Sequence, residues 1–160
     1  MTPAINALKK AGVAYQLHSY ANAVSTGYAE EAVLALDLPA EQVFKTLIVL
    51  NESKLAVAVI PANLILDLKA AADLLRWKKC ALADQAVAER RTGFLKGGIS
   101  PFGQKTRLPT LLDEPAMRFA TIFVSGGRRG LDVEVDPADL IRLCDAKLGT
   151  IGKMPPGRKT

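Results

Sequence analysis

The sequence predicts an α+β domain with a mixed, largely antiparallel sheet. Two pairs of apolar, strand-length segments, 44–50 with 55–61 and 120–124 with 131–135, are each joined by a short polar or glycine-rich turn. This is the pattern of antiparallel hairpins. Helical segments do not alternate regularly with the strands, so a parallel βαβ architecture is not expected. At 160 residues the chain has the length of one domain with a substantial core.

The helices are indicated by N-terminal caps and by apolar residues at three- and four-residue spacing. Thr2 followed by Pro3 begins the first helix, Gly12 ends it, and Ser25-Thr26 begins the second. Aspartate is the predicted cap of three later helices, at Asp67, Asp84 and Asp136. With two short helical turns included, the predicted helical segments are 3–11, 27–36, 39–43, 68–75, 85–91, 115–118 and 137–143.

The strands are indicated by short runs of alternating or continuous apolar residues. They are predicted at 13–20, 44–50, 55–61, 79–82, 109–112, 120–124 and 131–135. In the first of them Val13, Tyr15 and Leu17 share one face, whereas His18 and Tyr20 share the other. A single histidine beside an apolar strand is more often structural than a general base, and no acid or nucleophile in the nearby sequence would orient His18.

Composition and motifs exclude several classes of protein. The longest apolar runs have strand length, well below the roughly 18 residues of a membrane span, so no membrane association is expected. One histidine and two distant cysteines, Cys80 and Cys144, cannot form a Cys–His zinc site, and both thiols are expected to be buried and reduced. Nucleophile-elbow, Walker and dinucleotide motifs are missing, so neither a metal nor an organic cofactor is expected. The reduced thiols and the lack of a leader favour the cytoplasm.

A glycine-rich segment, 92–109, is the most distinctive stretch of the chain. It reads TGFLKGGISPFGQKTRLP and holds four of the 12 glycines. Gly97 and Gly98 permit positive φ and close approach of another molecule to the backbone. Its apolar residues argue against disorder; they are Phe94, Leu95, Ile99 and Phe102. The segment is either a ligand-binding loop or a long connection with solvated lysines.

Lys45 interrupts the first strong strand, on the face of Leu47 and Val49. A lysine among apolar neighbours is desolvated unless it meets an anion or reaches solvent. From spacing alone it is either a site residue or a side chain that extends to solvent at the end of a strand.

Several ordered motifs together resemble the YbaK/EbsC family, over about residues 2–150. They are GGISPFGQK at 97–105 with RLP at 107–109, VFKTL at 43–47, and FATIFVSGGRRGLD at 119–132. The family is known for hydrolysing misacylated transfer RNA, and its Cys-tRNA(Pro) deacylases are relatives of the editing domain inserted in some prolyl-tRNA synthetases. The resemblance implies a barrel-like sheet of six to seven strands flanked by helices. It makes residues 1–152 one deacylase domain; the basic segment 153–160 has no apolar period and is predicted to be a disordered tail.

The resemblance also implies a set of site residues. The expected catalytic residues are Lys45, Gly97, Ser125 and Asp132; without the resemblance, Asp132 could equally be an exposed strand residue or a turn cap. Backbone N–H groups of two glycine-rich turns, at 97–98 and 125–127, are candidate donors to an oxyanion. The expected substrate-binding residues are Tyr20, Tyr28, Thr46, Gly98, Ser100 and Gly126, with packing in the core as the alternative for the two tyrosines. Cations beside the two turns are candidates for contacts with tRNA phosphates, although each alone could simply be solvated; they are Lys96, Lys105, Arg107, Arg128 and Arg129. The net charge of +5 is compatible with a polyanionic partner.

The function implied by the resemblance is trans-editing hydrolysis of Cys-tRNA(Pro), in which the thiol of the substrate attacks its own carbonyl group. Two alternatives remain open. One is a deacylase for another mischarged tRNA, such as Ala-tRNA(Pro), and the other is a non-catalytic module that binds RNA or a synthetase. Prolyl-tRNA synthetase is the protein partner that the family suggests.

Overall fold

The computed structural model describes residues 1–21 and 28–157. The helices within these residues are α1 (Pro3–Ala11), α2 (Tyr28–Ala35), α3 (Leu68–Leu75), α4 (Gln85–Thr92) and α5 (Pro137–Cys144), with short 3₁₀ helices at Ala40–Gln42 and Glu114–Arg118. The strands are β1 (Gln16–Ser19), β2 (Phe44–Asn51), β3 (Lys54–Pro61), β4 (Ile65–Leu66), β5 (Ala81–Leu82), β6 (Thr110–Asp113), β7 (Ile122–Arg128), β8 (Leu131–Val135), β9 (Lys147–Gly149) and β10 (Gly152–Lys153).

The described strands form three sheets. The central sheet has the order β5-β2-β3-β6-β9, in which β2 and β3 make an antiparallel hairpin while β6 and β9 add in parallel. A second, antiparallel sheet has the order β1-β8-β7, and β10 pairs with β4. The predicted α+β class and both predicted hairpins are confirmed. The predicted barrel is not confirmed, because the described sheets do not close. The predicted count of six to seven strands is not confirmed either: ten strands are described, and β4, β9 and β10 have two or three residues each, too few to show an apolar period in the sequence.

The core lies on both faces of β2 and β3. One face packs Phe44, Ile48 and Val57 against α1, α5 and the second sheet. The other face packs Val49 and Ile60 against α3. Because β3 is covered on both faces, its residues 55–61 are all buried, which explains its continuous apolar sequence.

The predicted caps are confirmed where they fall within the described residues. Thr2 Oγ1 accepts a hydrogen bond from the N–H of Ile5, and Gly12 ends α1 with φ of 70°. The side chains of three aspartates cap the helices predicted for them, and these are Asp67, Asp84 and Asp136. The predicted start of the second helix, Ser25-Thr26, lies outside the described residues.

Four details differ from the sequence prediction. Leu17, predicted to share an apolar face with Val13 and Tyr15, is 48% exposed, and Leu95, predicted as an anchor of the loop, is 74% exposed. The glycines after Ser125 belong to β7, since an irregularity between Ser125 and Arg128 lets the strand continue through them. Lys153, the first residue of the predicted tail, pairs with Ile65.

The two cysteines are free thiols, as expected, but both are partly buried and not fully buried. The thiol of Cys80 donates to the carbonyl oxygen of Leu68 at 3.1 Å, and that of Cys144 to the carbonyl oxygen of Pro101 at 3.3 Å. Burial raises the pKa of both thiols, that of Cys144 to about 11, so both are protonated at neutral pH. Among the described residues, no helix has the length and apolar character needed to span a membrane.

Candidate active site

A cavity of about 490 Å³ lies where the central sheet, the second sheet, α2 and the glycine-rich loop meet. Its volume is within the range of small-ligand pockets. Eight of the residues named from the sequence line it, and these are Tyr20, Tyr28, Lys45, Thr46, Lys96, Gly97, Ser125 and Asp132. Residues far apart in the chain therefore converge on one pocket.

Lys45 lies in β2, where it pairs with Ile60 of β3, and it lines the cavity. Its Nζ donates a hydrogen bond to the carbonyl oxygen of Ala62 at 3.3 Å. Burial lowers the pKa of Lys45, and the charge of Glu30 acts in the opposite direction. Lys45 is thus a partly desolvated cation that can bind an anionic oxygen strongly, because the low local dielectric strengthens the attraction.

Asp132 and Tyr20 form the acidic part of the pocket. Asp132 is 5% exposed, and its Oδ1 accepts a hydrogen bond from the Tyr20 hydroxyl at 3.3 Å. Burial raises the pKa of Asp132 to about 7, against the opposing effect of this hydrogen bond. Burial, together with the charge of Asp132, also raises the pKa of Tyr20, so the phenol stays protonated. Both protonation states of Asp132 are therefore populated near neutral pH.

Thr46 presents an unpaired group at the pocket. Its Oγ1 is buried and has no hydrogen-bond partner among the described residues. An unpaired buried hydroxyl costs about 1–3 kcal/mol. Because Thr46 also lines the cavity, a bound ligand can supply the missing hydrogen bond.

Two glycine-rich loops, within residues 92–109 and 125–130, contact each other; the second includes the end of β7 and the turn that follows it. A Cβ atom on Gly98 would lie 2.5 Å from the Cα of Arg128. Gly97 has φ of 88°, and a Cβ there would lie 2.9 Å from Cδ1 of Tyr28. Only glycine fits at either position without displacing its neighbours.

The same loops rest on the start of α1. The Thr2 hydroxyl donates a hydrogen bond to the carbonyl oxygen of Gly126. A Cβ on Gly127 would lie 2.8 Å from the Thr2 side chain, and one on Gly103 would lie 2.3 Å from the carbonyl oxygen of Pro3. The first turn of α1 is therefore a common support for both loops.

The close backbone contact at Gly98 predicts that Gly98→Ala destabilises the fold strongly. The added methyl group meets backbone, which cannot move aside as a side chain can, so we expect unfolding free energy to fall by about 1–3 kcal/mol. Gly149→Ala is the matched control, because its methyl group meets the end of the flexible Leu74 side chain. Urea denaturation of both variants measures the difference. Equal stability of Gly98→Ala and wild type would contradict the backbone contact.

Seven other predicted site residues do not line the cavity. Three of them lie within the two loops but do not face the cavity: Gly98, Gly126 and Ser100. Ser100 is fully buried, and its hydroxyl accepts a hydrogen bond from the N–H of Phe102 at 3.2 Å. The N–H of Gly98 donates to Leu95 at 2.9 Å and that of Gly127 to the Ser125 hydroxyl at 3.1 Å. Of the predicted oxyanion donors, this leaves Gly97 as the candidate on the first loop.

The predicted tRNA-binding cations are spread over the surface. Lys96 lines the main cavity, and Arg128 is exposed on the loop beside Gly98. Arg107 borders a second cavity of about 230 Å³. Lys105 lies near the end of the segment 92–109, and its N–H donates to the carbonyl oxygen of Thr92, the first residue of that segment, at 2.8 Å. Arg129 forms an ion pair with Glu31.

Some pocket residues were not identified from the sequence. Glu30, Leu82 and Gln85 lie in helices or strands whose place at the cavity depends on tertiary packing. Glu30 follows a common sequence pattern, an acidic residue in the first turn of a helix, so nothing local marks it as a pocket residue.

His18 is structural, as the sequence suggested. Its Nε2 lies 2.9 Å from Oε1 of Glu134, whose other oxygen accepts from Thr121. Its ring also contacts the ring of Phe123, with centroids 5.1 Å apart. His18 does not line the cavity.

Comparison with known proteins identifies the family. A model of the aminoacyl-tRNA editing domain matches residues 24–143. The chain belongs to the aminoacyl-tRNA editing domain family. Membership places it among the enzymes that deacylate aminoacyl-tRNA, and it confirms the resemblance to the YbaK/EbsC proteins.

Relatives of this editing domain match over nearly their whole length. EbsC of Enterococcus faecalis, a candidate Cys-tRNA(Pro)/Cys-tRNA(Cys) deacylase, is 33% identical over 94% of this chain and 92% of its own. The crystal structure of a candidate trans-editing enzyme for prolyl tRNA synthetase superposes with a TM-score of 0.83 at 25% identity, covering 94% of this chain and 95% of that one. The hypothetical protein APE2540 has the same fold, with a TM-score of 0.83 at 23% identity, covering 94% and 99% of the two chains.

Proposed function

We propose that this editing domain hydrolyses Cys-tRNA(Pro) in trans, with the thiol of the substrate as the attacking group. The observation that carries the proposal is a pocket that has a cation and an acid but no protein nucleophile with its base. Among the described residues that line it there is no histidine or cysteine. The hydroxyl of Ser125, the one serine there, accepts a hydrogen bond from Gly127, and among the described residues it donates to no side chain that could act as its base. A substrate that supplies its own nucleophile suits such a pocket.

In the proposed reaction the sulfur of the cysteinyl group bonds to the carbonyl carbon as the ester bond to the ribose breaks. The thiol proton ends on the ribose oxygen of the released tRNA, and the amino acid leaves as a cyclic thiolactone. Lys45 and the N–H of Gly97 stabilise the negative oxygen. Thr46 donates its unpaired hydroxyl to the ester or ribose. Asp132 binds the α-ammonium group or accepts the thiol proton, for which a pKa of about 7 is well placed.

The proposal is tested by hydrolysis of Cys-tRNA(Pro), Ala-tRNA(Pro), Ser-tRNA(Pro) and Pro-tRNA(Pro). We expect rapid loss of the cysteinyl ester and at least a roughly 100-fold slower loss of the seryl ester, because serine has nearly the same size but a much poorer nucleophile. Fast hydrolysis of the alanyl or seryl ester would instead indicate attack by water. If no ester is hydrolysed, with or without prolyl-tRNA synthetase, the result would instead support a non-catalytic module that binds RNA or a synthetase.

The choice of tRNA is proposed to depend on a partner. Two exposed cations suit phosphates: Lys96, which lines the cavity, and Arg128, beside Gly98. Phosphate contacts carry no sequence information. Prolyl-tRNA synthetase, acting in the cytoplasm where tRNA is charged, is the proposed partner. In the assay above, the synthetase is expected to increase discrimination between tRNA(Pro) and other tRNAs that carry cysteine.

A further inference from the structure

We propose that Arg129 is a positioning residue, which fastens α2 to the turn between β7 and β8 and so fixes the aromatic wall of the pocket. The sequence suggested a phosphate contact for this arginine. Its effect on catalysis rests on the proposed function, whereas its effect on α2 does not.

The first observation is a paired carboxylate in the interior. Glu31 is 1% exposed, although glutamate is seldom fully buried without a partner. Nε of Arg129 donates to Oε2 of Glu31 at 3.1 Å, and Nη2 donates to Oε1. The two parallel bonds fix the guanidinium relative to the helix.

The second observation is that Arg129 also contacts a residue of the pocket. Its Cζ lies 4.9 Å from the centre of the Tyr28 ring, which is a cation–π arrangement. Tyr28 precedes Glu31 by three residues, so both lie on one face of α2. The Tyr28 ring also approaches Gly97 so closely that a Cβ there would lie 2.9 Å from its Cδ1. The ring therefore contacts both the guanidinium and the glycine-rich loop.

The third observation is that α2 needs such an attachment. It has eight residues, and helices of this length are not stable by themselves. One helical turn carries the pocket residues Tyr28, Ala29 and Glu30. If the bonds to Arg129 were lost, the buried Glu31 carboxylate would be unpaired, and the turn that bears the pocket wall would shift toward solvent.

The adjacent Arg128 provides a matched control. It is exposed, and the atoms nearest to Gly98 belong to its backbone. Sequence cannot distinguish two consecutive arginines in a glycine-rich turn. The structure assigns the phosphate role to the first and the positioning role to the second.

The test compares Arg129→Gln, Arg129→Lys, Glu31→Gln and Arg128→Gln by hydrogen exchange and by deacylation. In Arg129→Gln we expect amide exchange in α2 to rise about 10-fold or more, with α5 unchanged. We expect kcat for the cysteinyl ester to fall about 10-fold, while the salt dependence of KM stays as in wild type. Arg129→Lys, which keeps the charge but loses the second bond, should recover part of kcat. The double variant Glu31→Gln/Arg129→Gln should exchange no faster in α2, and have no lower kcat, than the more impaired of the two single variants.

Arg128→Gln should leave exchange in α2 unchanged and reduce the slope of log KM against log salt by about 0.7–0.9. The proposal is overturned if Arg129→Gln changes that slope and leaves exchange in α2 as in wild type, since Arg129 would then be a phosphate contact. It is equally overturned if the effects of the Glu31 and Arg129 variants simply add. If the wild-type protein hydrolyses no ester, the proposed function fails, and the exchange experiment still decides whether Arg129 holds α2.

Discussion

Lys45→Ala is expected to lose about 100-fold to 1,000-fold in the rate of deacylation while keeping the fold. A loss of this size is typical when one group that stabilises developing negative charge is removed from a dry site. Stability should change little, because burial disfavours the charged lysine and its one described hydrogen bond, to Ala62, is long at 3.3 Å. Single-turnover hydrolysis of Cys-tRNA(Pro) and circular dichroism measure the two properties.

Lys54→Ala is the control for this experiment. Lys54 begins β3, the strand paired with β2, and its side chain is exposed outside the cavity. Its replacement should alter neither the rate nor the circular dichroism spectrum. An active Lys45→Ala variant would remove Lys45 from the proposed mechanism, and an unfolded one would make it a structural residue.

Asp132→Asn is expected to change how stability depends on pH. The pKa of Asp132 is about 7 in the folded protein and 3.8 for the free side chain. Between these values the folded state keeps a proton that the unfolded state has lost, so wild-type stability falls as pH rises. The free energy of unfolding falls by about 1.4 kcal/mol per pH unit at its steepest, and the total loss between the two pKa values is at most roughly 4 kcal/mol. Asparagine has no such titration, so the variant should gain stability over wild type from pH 4 to 7.

Urea denaturation at pH values from 4 to 8 measures this difference. Asp136→Asn is the control, because Asp136 is an exposed helix cap and asparagine caps equally well. That variant should keep the wild-type slope. Parallel pH profiles for wild type and Asp132→Asn would show that the carboxyl group is ionised in the folded protein at ordinary pH.

Local sequence predicted the elements whose cause is local. Caps such as Asp67 and Asp84 were correct because their side chains bond to backbone within three residues. The hairpin of β2 and β3 was correct because two apolar runs and a short turn define it. The strands β4, β9 and β10 were missed because two or three residues cannot show a period.

The pocket could be predicted only in part. Spacing alone left Lys45 undecided, and the family motif favoured a site role for it. The contact between Tyr20 and Asp132 joins residues 112 positions apart, and no local pattern anticipates it. The pairing of Glu31 with Arg129 depends in the same way on how α2 packs. Acidic residues in a first helical turn and arginines in a turn are usually solvated, so nothing in the sequence marked this pair.

The support that Thr2 and Pro3 give to both glycine-rich loops has a practical consequence for handling the protein. An affinity tag fused directly ahead of Thr2 would crowd the hydroxyl that holds Gly126 and the carbonyl that abuts Gly103. Assays on such a fusion would then report a disturbed pocket, even with every residue that lines it intact. A tag placed after residue 157, or a cleavable leader with a flexible spacer, avoids this artefact and allows activities of different preparations to be compared.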